Sequence, residues 1–378
     1  MSSDTSDRPL RVVHVMGRMA PGGTEHQLLG MIEAAHGRHW DATLCVLSSG
    51  WELTERVRAT GATVWELDGV TRADPRRALR FRKLAAEADV VHASLWAASA
   101  FARITVAGLS RPALVMSERG VEEHWHAALK SIDRVLRPFT DAYIGNSSAV
   151  TDFIRRAHGL LPDDPRVSEI PNGLDPTIFY PAARRADSPR RRRLIGVGRL
   201  VAGKRFDLAI SLLPKLLETV EVELVIVGDG PERSRLESLA AGLPVTFLGH
   251  IADRRTLADT LRSGDVLVMP SAREGYPNAV LEALACGLPV VASDVPGHRV
   301  AEGAGVTLVD DDLDSWRRSI AAALREGPVA TSQVGDRVMS FDQVAERHLD
   351  VFKAAMEQKN RGRHLARQRT LAGMERTR

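Results

Sequence analysis

Two glutamates bracket the stretch EGYPNAVLE, Glu274 at its start and Glu282 at its end. The Tyr-Pro-Asn corner between them predicts a helix that begins near Pro277, which places Glu282 in the second turn. The neighbours of Glu282 on this helix are apolar, and a largely buried carboxylate needs hydrogen-bonding partners. Sugar hydroxyls would supply them, so the spacing predicts a site for a polyhydroxylated ligand. An exposed glutamate on an amphipathic helix is the alternative.

Two cations, Arg199 and Lys204, lie in the stretch GVGRLVAGKRFDLAI, between a predicted strand and a predicted helix. A diphosphate suits this place, because its charge calls for both a point charge and bidentate donors, and a helix N-terminus favours anions. Two solvated loop cations are the alternative interpretation.

Glycine-rich turns follow other predicted strands. Gly22 and Gly23 lead into a helix, where backbone N–H groups can approach an anionic ligand closely, although a plain tight turn explains them equally well. The turn Gly228–Pro231 favours a structural role, since Pro231 suits the first position of a helix. After the strand VTFLG, the backbone around Ile251 is placed to pair with the edge of a base.

Short apolar runs alternate with helix-length segments along the whole chain. Continuous Val, Ile and Leu runs joined by helices indicate parallel sheets that are covered on both faces. Ligands of such sheets bind beyond the carboxyl ends of the strands, where the residues above lie. The sequence therefore predicts the α/β class with two doubly wound parallel sheets. The strand candidates are LRVVHVM, WDATLCVL, ATVWEL, DVVHAS, ALVMSE, AYIGN, RVSEI, RLIGVG, VELVIVG, VTFLG, DVLVMP, PVVAS and GVTLV.

A linker is predicted at Asp175–Leu194, which is rich in Pro, Arg and Ala and has neither strand nor helix periodicity. It separates an N-terminal domain, residues 1–184, from a C-terminal domain, residues 185–340. Residues 341–378 are predicted to form an amphipathic helix followed by a basic tail. The apolar run Val90–Leu109 is long enough to span a bilayer, but it contains a His and an Arg, so we expect a strand followed by a helix.

The composition of the 378 residues is that of ordinary globular domains, with 44% hydrophobic and 26% charged residues. The formal charge of +3 comes from the tail Lys359–Arg378, so the rest of the chain is slightly acidic and predicts no nucleic-acid surface. The tail is either a solvated terminus or a contact with anionic lipid. Cys45 and Cys286 have apolar neighbours and are predicted to be core residues, and the polar N-terminus predicts no signal peptide.

Together these motifs resemble the retaining glycosyltransferases of family four, which have the GT-B fold. The resemblance implies two Rossmann-like domains that face a cleft, the first binding an acceptor and the second a nucleotide sugar, with the C-terminal helix returning to the first. It covers most of the chain in the right order. The matching residues are Gly198-Arg199-Leu200 with Lys204, Gly228–Pro231, Phe247–Gly249, the glutamates at 274 and 282, LEALACGLPVVASDVPG, GGTE at Gly22–Glu25 and IPNGLD at Ile170–Asp175.

The resemblance also implies catalytic and ribose-binding roles. Glu274 would hold hydroxyls of the donor sugar, Arg199 and Lys204 would neutralise the diphosphate leaving group, and Glu282 would hold the ribose. The backbone of Ile251 would bind the base. Backbone N–H groups of Gly275, Tyr276, Pro277 and Asn278 would face the sugar and phosphate. Gly23, with Gly22 beside it, would close over the phosphate from the other domain.

The implied chemistry is front-face retaining transfer without a protein nucleophile, a metal or another cofactor. The nucleotide-diphosphate sugar, with UDP as the expected nucleotide, is the co-substrate. The stretch VDDDLD, Asp310–Asp314, offers carboxylates of the kind that bind metals, but it follows the last strand and starts a helix, so we expect helix capping there.

The acceptor side departs from the family pattern. Many relatives carry a His where this chain has MSERG, so Glu118 and Arg119, together with His92, are the acceptor-side candidates. His124 and His126 lie nearby in the sequence. The acceptor class stays open between a glycan, a lipid-linked molecule and a small molecule.

A basic helix is predicted in the first domain, from DPRRALRFRKLAAEA. It places four cations on or near one face, which is either a solvated face or a docking face for an anionic membrane. The four are Arg76, Arg77, Arg80 and Lys83.

The sequence therefore predicts a cytoplasmic hexosyltransferase, soluble or peripheral on the inner face of the membrane. A non-catalytic sugar-nucleotide-binding protein and a GT-B sugar-nucleotide epimerase are the alternatives. Intact Arg199, Lys204 and Glu274 count against the first, and the two spaced glutamates with GRL followed by Lys204 count against the second.

Overall fold

The structure is a computed structural model that describes residues 8–68, 74–120, 127–181, 191–299, 301–303, 305–329 and 339–375. It divides into two compact units, Met1–Gly173 with Phe341–Arg378, and Leu174–Ser340. The predicted boundary between residues 184 and 185 lies outside the described residues, as do residues 182–190 of the predicted linker.

Each strand candidate coincides with an observed strand to within one or two residues. In chain order the strands are β1 Leu10–Met16, β2 Trp40–Val46, β3 Thr63–Glu66, β4 Val90–Ser94, β5 Ala113–Glu118, β6 Ala142–Gly145, β7 Val167–Glu169, β8 Gly173–Leu174, β9 Arg192–Val197, β10 Val222–Val227, β11 Val245–Gly249, β12 Val266–Met269, β13 Val290–Ser293, β14 Val306–Val309 and β15 Met339–Ser340.

Helices fill most of the segments between the strands. In chain order they are α1 Gly23–Ala35, α2 Glu52–Ala59, α3 Pro75–Glu87, α4 Trp96–Val106, α5 Ala127–Leu136, α6 Ser148–His158, α7 Phe206–Ser211, α8 Leu213–Leu217, α9 Arg233–Leu239, α10 Arg254–Arg262, α11 Asn278–Ala285, α12 Pro296–Arg299, α13 Leu313–Glu326 and α14 Phe341–Glu375. Two short 3-10 helices are Arg137–Phe139 and Ala202–Lys204.

Both large sheets have the doubly wound topology. The strand order is β3-β2-β1-β4-β5-β6-β7 in the first unit and β11-β10-β9-β12-β13-β14 in the second. Neighbouring strands are parallel in both. The chain order therefore reverses between β1 and β4 and again between β9 and β12. The predicted fold class, two parallel-sheet Rossmann-like domains, is confirmed.

Burial on both faces explains why the strands are continuous apolar runs. Leu194 and Ile195 are adjacent in β9, and successive strand residues point to opposite faces of a sheet. Leu194 belongs to a core cluster that includes Trp316 of α13. Ile195 belongs to the cluster on the other face, which includes Val280 of α11. Helices therefore cover both faces of this central strand, as parallel sheets require.

Side-chain caps set where several helices begin. Asp74 accepts a hydrogen bond from the backbone N–H of Arg76, with Pro75 at the first helical position of α3. Asp312 accepts one from the N–H of Ser315 at the start of α13 (2.8 Å). The carboxylate at position 312 is therefore a helix cap, as predicted for VDDDLD.

The structure tests the sequence predictions for the membrane-length run and for the two cysteines. Val90–Leu109 forms β4 and α4, and no helix in the described ranges is long and apolar enough to cross a membrane. Cys45 and Cys286 are buried free thiols, and burial raises the pKa of each to about 12. The side chains of the basic tail from residue 363 onward lie outside the described residues.

Candidate functional site

The loops that follow β9 and β12 meet at the switch point of the second sheet. Here Ile195 of β9 pairs with Leu267 of β12, and the strands beyond them diverge in chain order, which opens a crevice at their carboxyl ends. The backbone N–H of Ala272, after β12, donates to the carbonyl of Gly203, after β9 (2.9 Å). This hydrogen bond holds the two loops together.

Lys204 and Glu274 form an ion pair across these loops. Lys204 is the last residue of the 3-10 helix that follows β9, and its Nζ contacts Oε1 of Glu274. The structure therefore brings together two of the three residues predicted to be catalytic. The third, Arg199, lies exposed on the same loop and makes no ion pair with any described residue, so its role stays a prediction.

Glycines of the GDGP motif allow the loop after β10 to pack backbone against backbone with the GRL loop after β9. Gly228 has φ +138°, and a Cβ there would lie 1.9 Å from the carbonyl oxygen of Gly198. A Cβ on Gly230 would lie 2.4 Å from the carbonyl oxygen of Leu200. Side chains at 228 and 230 would collide with the loop that carries Arg199 and Lys204. The predicted structural role of the GDGP turn agrees with this packing.

Helix α11 begins close to the predicted position, with Pro277 as N-cap and Asn278 as the first helical residue. The prediction that backbone N–H groups at 275–278 face a ligand needs correction at two positions. Pro277 has no N–H, and the N–H of Asn278 donates to the carbonyl of Tyr276 (3.1 Å). Tyr276 is buried. The residues surround the start of the helix, but only part of their backbone is available as donors.

Glu282 is buried on α11 and paired with a cation that the sequence analysis missed. Nη2 of Arg254 lies 2.6 Å from Oε1 of Glu282, whose side chain is 5% exposed. The Arg254 guanidinium also stacks over Phe179, 4.8 Å from the ring centroid. Arg254 is the first residue of α10, directly after the N-cap Asp253. Its position after β11, close to Ile251, could have identified Arg254, because ligands of parallel sheets bind beyond the carboxyl ends of the strands.

Ile251 lies partly buried in the loop between β11 and α10, packed against the core cluster that contains Val280. Its side chain is therefore an anchor for this loop. The predicted backbone contact with a base stays a prediction.

A second buried residue missed by the sequence analysis is His298 of α12. A Cβ on the preceding Gly297 would lie 2.3 Å from the carbonyl oxygen of Glu274, so α12 packs directly on the Glu274 backbone. Nδ1 of His298 donates to the carbonyl of Ser293 (2.8 Å). Burial lowers the pKa of His298, and the charges of Glu274 and Lys204 act on it in opposite directions. The imidazole is therefore neutral near the Lys204–Glu274 pair.

In the first unit, Gly22 and Gly23 mark the start of α1. Gly22 is the extended N-cap, and the N–H of His26 donates to its carbonyl (3.0 Å). Glu25 folds back over Gly22, where a Cβ would lie 2.4 Å from its Oε2. Burial raises the pKa of Glu25. A predicted glycine turn thus carries a carboxylate at the same helix N-terminus, and the phosphate-binding role of the glycines stays a prediction.

Glu118 and Arg119 lie at the carboxyl end of β5, as expected for acceptor-side candidates. Nη1 of Arg119 donates to Oδ1 of Asn172 (2.6 Å), and Asn146 donates to the carbonyl of Arg119 (3.5 Å). Burial lowers the pKa of Arg119 to about 10, so the guanidinium stays charged at neutral pH. Asn146 and Asn172 follow β6 and β7, and this position after a strand could have identified them.

His92 is not available to an acceptor, which corrects the prediction. It lies within β4 with no exposed surface. Nε1 of Trp40 can only donate, and it donates to Nε2 of His14 (3.1 Å). Nδ1 of neutral His14 then donates to Nδ1 of His92 (2.9 Å), and Nε2 of His92 donates to Ser117 (2.6 Å). Both His92 nitrogens are occupied inside the core.

Burial lowers the pKa of His14 to about 3 and that of His92 well below its usual range. Both imidazoles are neutral at physiological pH, as the donor–acceptor order requires. His124 and His126 lie outside the described residues. No cluster of three or more potential His, Cys, Asp or Glu metal ligands occurs in the part of the chain that the structure describes.

The basic face predicted on α3 is smaller than expected. Arg77 is buried, and its Nε donates to the carbonyl of Leu67 (2.7 Å). It therefore belongs to the interior and not to a docking face. Arg76, Arg80 and Lys83 are exposed, beside Leu79, whose surface is 62% exposed.

Comparison with known proteins gives matches in both halves of the chain. Residues 21–178 match the family described as Glycosyltransferase Family 4, and residues 191–326 match the family described as Glycosyl transferases group 1. Together the two matches span β2–β14 and the loops described above.

Two mycobacterial proteins are among the similar curated sequences. A GDP-mannose-dependent alpha-(1-6)-phosphatidylinositol dimannoside mannosyltransferase of Mycobacterium tuberculosis is 41% identical over 131 residues, 33% of this chain and 34% of that protein. A phosphatidyl-myo-inositol mannosyltransferase of Mycobacterium leprae is 31% identical over 268 residues, 65% of this chain and 70% of that protein. The chain thus aligns with about a third of the first relative.

Solved structures share the fold at low sequence identity. HepE of Anabaena in complex with UDP superposes with a TM-score of 0.72 at 20% identity, covering 92% of this chain and 98% of that one. A glycosyltransferase from Rickettsia africae superposes with a TM-score of 0.77 at 14% identity, covering 92% and 99%. At these identities the similarity concerns the fold.

Proposed function

Because the chain belongs to glycosyltransferase family four, we propose that it transfers a sugar from a nucleotide-diphosphate sugar to an acceptor hydroxyl with retention at the anomeric carbon. The observation that carries this proposal is the Lys204–Glu274 ion pair at the switch point of the second sheet. A cation and a carboxylate held at this place suit a ligand that has a diphosphate at one end and hydroxyls at the other.

The proposed reaction takes place on one face of the sugar. The acceptor oxygen bonds to the anomeric carbon as the bond from that carbon to the phosphate oxygen breaks, and the acceptor proton passes to the leaving phosphate. Lys204 and Arg199 stabilise the charge that develops on the diphosphate, while Glu274 orients the sugar hydroxyls. An ammonium has three donors, so Lys204 can retain Glu274 and still bind phosphate.

Donor binding is proposed to extend along α11. Glu282 accepts from the ribose while Arg254 keeps its buried charge compensated. Relatives with different nucleotides exist, since the Mycobacterium tuberculosis protein is named for GDP-mannose and HepE was solved with UDP. We propose a UDP-linked donor and test the GDP series beside it. In this proposal Arg199 and Lys204 neutralise the diphosphate, so that the reaction needs no metal.

A thermal-shift screen with UDP-, GDP- and dTDP-sugars in EDTA tests donor binding. A ligand at about 100 times its Kd stabilises the protein by about 2.7 kcal/mol. We expect one nucleotide series to raise the Tm, and the shift to survive EDTA. Loss of the shift in EDTA would contradict metal independence, and no shift with any series would contradict the donor site.

Turnover then separates the enzyme from its alternatives. With the donor that binds, we expect release of the nucleotide diphosphate on addition of an acceptor mixture, and a product in which the anomeric configuration of the donor is kept. Binding without release would indicate a sugar-nucleotide-binding protein. Conversion of the donor sugar to its epimer would indicate an epimerase.

We propose that the protein is cytoplasmic and that its first unit makes peripheral contact with an anionic membrane. Arg76, Arg80 and Lys83 are exposed on α3 beside Leu79, which combines charge with an apolar contact. Sedimentation with phosphatidylglycerol vesicles tests this surface. We expect Arg80→Ala to weaken binding about fivefold, near 1 kcal/mol per basic residue, and Arg156→Ala on α6 to serve as control. Binding that is absent or insensitive to salt would refute the contact.

A further inference from the structure

Arg119 is a half-buried cation at the carboxyl edge of the first sheet, directly after β5. Burial lowers the pKa of its guanidinium to about 10, so the group stays charged at neutral pH. It forms no ion pair with any described residue, its chain neighbour Glu118 included. Withdrawing a charge from water costs free energy unless an opposite charge lies beside it. The surroundings of Arg119 therefore lack an anion.

Arg103 of the same unit shows how the chain compensates a buried guanidinium elsewhere. Its Nη2 pairs with the carboxylate of Asp133, and neither side chain has any exposed surface. Arg119 instead meets a neutral amide, because its Nη1 donates to Oδ1 of Asn172 (2.6 Å). An amide oxygen fills one hydrogen bond but brings no negative charge. The charge of Arg119 is thus not compensated by the described residues.

Asn172 is itself held in place, so the guanidinium that it binds is preorganised. The next residue, Gly173, exchanges two hydrogen bonds with the side-chain amide of Gln27. The N–H of Gly173 donates to Oε1 (2.7 Å), and its carbonyl accepts from Nε2 (2.9 Å). Asn146 donates to the backbone carbonyl of Arg119 (3.5 Å). A cation that is already oriented loses less entropy when a ligand binds to it.

One edge of the Arg119 guanidinium remains for a ligand. With Nη1 bonded to Asn172, the remaining donors are Nε and Nη2, which point in parallel from the same edge. Nε is enclosed and has no hydrogen-bond partner among the described residues, whereas Nη2, also without one, is not enclosed. A Cβ on the next residue, Gly120, would meet no atom within 4 Å. A ligand can therefore reach Nη2 from the open side, with Nε at the deep end of the edge.

The chemistry of this edge selects an oxyanion. Two parallel N–H donors that share one positive charge match two oxygens of a phosphate or a carboxylate. A neutral hydroxyl would fill a donor but leave the charge without compensation. The place also suits a ligand, because it lies beyond the carboxyl end of a parallel strand.

We infer that Arg119 binds an oxyanion carried by the acceptor, either a phosphate ester or a carboxylate. The inference rests on the proposed function, since only a transferase has an acceptor. It adds the chemical class of the acceptor, which the family resemblance leaves open. The two kinds of anion present the same pair of oxygens to the guanidinium, and experiment distinguishes them.

Calorimetry on the full chain at low salt tests the site with defined anions. Glucose 6-phosphate, glucuronate and inorganic phosphate are titrated with UDP at saturation, so that UDP fills the diphosphate site proposed in the second unit. Glucose is the uncharged probe. We expect one of the two sugar anions to bind at least about tenfold more tightly than glucose, because a charged hydrogen bond is added. The sugar anion that binds identifies the class.

Variants of Arg119 separate its charge from its shape. Arg119→Gln should weaken the bound sugar anion at least about tenfold, and Arg119→Lys should weaken it less, because Lys keeps the charge but lacks the parallel donors. UDP should bind both variants as it binds wild type. Arg56→Gln, which removes an exposed cation on α2 of the same unit, is the control for net charge.

Asn172→Asp supplies the missing carboxylate with almost no change of shape. We expect it to raise the Tm, since the charge of Arg119 gains an internal partner, and to weaken the sugar anion about as much as Arg119→Gln does. Arg119→Gln should leave the Tm of the free protein unchanged or raise it. A lower Tm in Arg119→Gln, together with wild-type affinity for the sugar anion in Asn172→Asp, would assign Arg119 to stability alone.

Other outcomes would also overturn the inference. Wild type that binds neither sugar anion, or Arg119→Gln that binds them as wild type does, would exclude the site. Binding of inorganic phosphate without either sugar anion would assign Arg119 to free phosphate and not to an acceptor. Failure of wild type to bind UDP would count against the proposed function, whereas titrations without UDP would still decide whether Arg119 binds an anion.

Discussion

The two sheets have the same strand order around their switch points but opposite polar content there. In the first sheet one of the four residue pairs between the central strands is polar, His14 with His92. In the second sheet both pairs, Leu194 with Val266 and Ile195 with Leu267, are apolar. The first unit buries one group of polar side chains in a chain of hydrogen bonds from Trp40 to Ser117. The second keeps its central strands apolar, and its unpartnered Ser271, Ser293 and His298 lie at the carboxyl ends of β12 and β13 or beyond them.

This difference distinguishes buried polar groups that stabilise the fold from those that can bind a ligand. His14 and His92 satisfy each other, so they have no capacity left for a ligand. Around Glu274, the Nε2 of His298 and the hydroxyls of Ser271 and Ser293 have no partner among the described residues. Buried polar residues are therefore a sign of a site only when their hydrogen-bonding capacity is unfilled.

Lowering the pH should produce the largest difference in stability between the two units. Burial lowers the pKa of His14, His158 and His348 to about 3, and that of His92 well below its usual range. In the unfolded chain these groups titrate near 6.5, so the stability they allow is fully present above that pH and is lost as the pH falls from about 6.5 towards 3. Between pH 7 and 5.5 we expect a loss of about 1 kcal/mol for each.

Peptide-resolved hydrogen exchange, corrected for intrinsic rates, measures this loss in each unit. All four histidines belong to the first unit, whereas His298 alone has a lowered pKa among the histidines of the second. We expect the strands of the first unit to lose about 4 kcal/mol and those of the second clearly less, because only His298 contributes there. His250→Gln, at an exposed loop, should change nothing. Equal losses of stability in both units would contradict the conclusion that the buried histidines of the first unit are neutral.

Removing the Glu274 carboxylate should abolish most of the transferase activity that we propose for the second unit. We expect Glu274→Gln to lower kcat at least about 100-fold, because the group that orients the sugar is lost. Glu237→Gln, in an exposed ion pair on α9, is the matched control. Near wild-type kcat in Glu274→Gln, with the protein folded, would remove Glu274 from the proposed mechanism.

Adding a methyl group to a loop glycine should show that the second site depends on close backbone packing. In Gly228→Ala the new Cβ meets the carbonyl of Gly198 at a backbone angle that L residues rarely adopt. We expect a loss of about 3 kcal/mol in the free energy of unfolding. Gly203→Ala, with open space around the site of the new Cβ, should cost less than about 1 kcal/mol. A urea titration of both variants that gave similar midpoints would refute the packing argument.

Removing the buried carboxylate of α11 should have the smallest effect on activity. We expect Glu282→Ala to raise the KM for the donor about tenfold with a smaller change in kcat, because a ground-state contact to the ribose is lost. The Arg254→Met variant and the double variant complete a cycle that separates the ion pair from the donor contact. An unchanged KM in Glu282→Ala would assign this pair to stability alone.

Local patterns in the sequence determined the elements of both units. Apolar runs predicted the strands to within one or two residues, since a strand buried on both faces must be continuously apolar. The corner before Asn278 and the carboxylate at Asp312 predicted the starts of α11 and α13. The positions of Lys204 and Glu274 after strands also followed, because loops beyond the carboxyl ends of parallel strands gather at one edge.

Only the tertiary structure decided which partner each polar side chain meets. Arg77 and His92 resembled surface or site residues in the sequence, yet the carbonyl of Leu67 and the imidazole of His14 occupy them. Arg254 gained its role by meeting Glu282, 28 residues away. The physical reason is that backbone preferences act between neighbours, whereas the hydrogen-bonding capacity of a buried group is filled by residues that only folding brings within 3 Å.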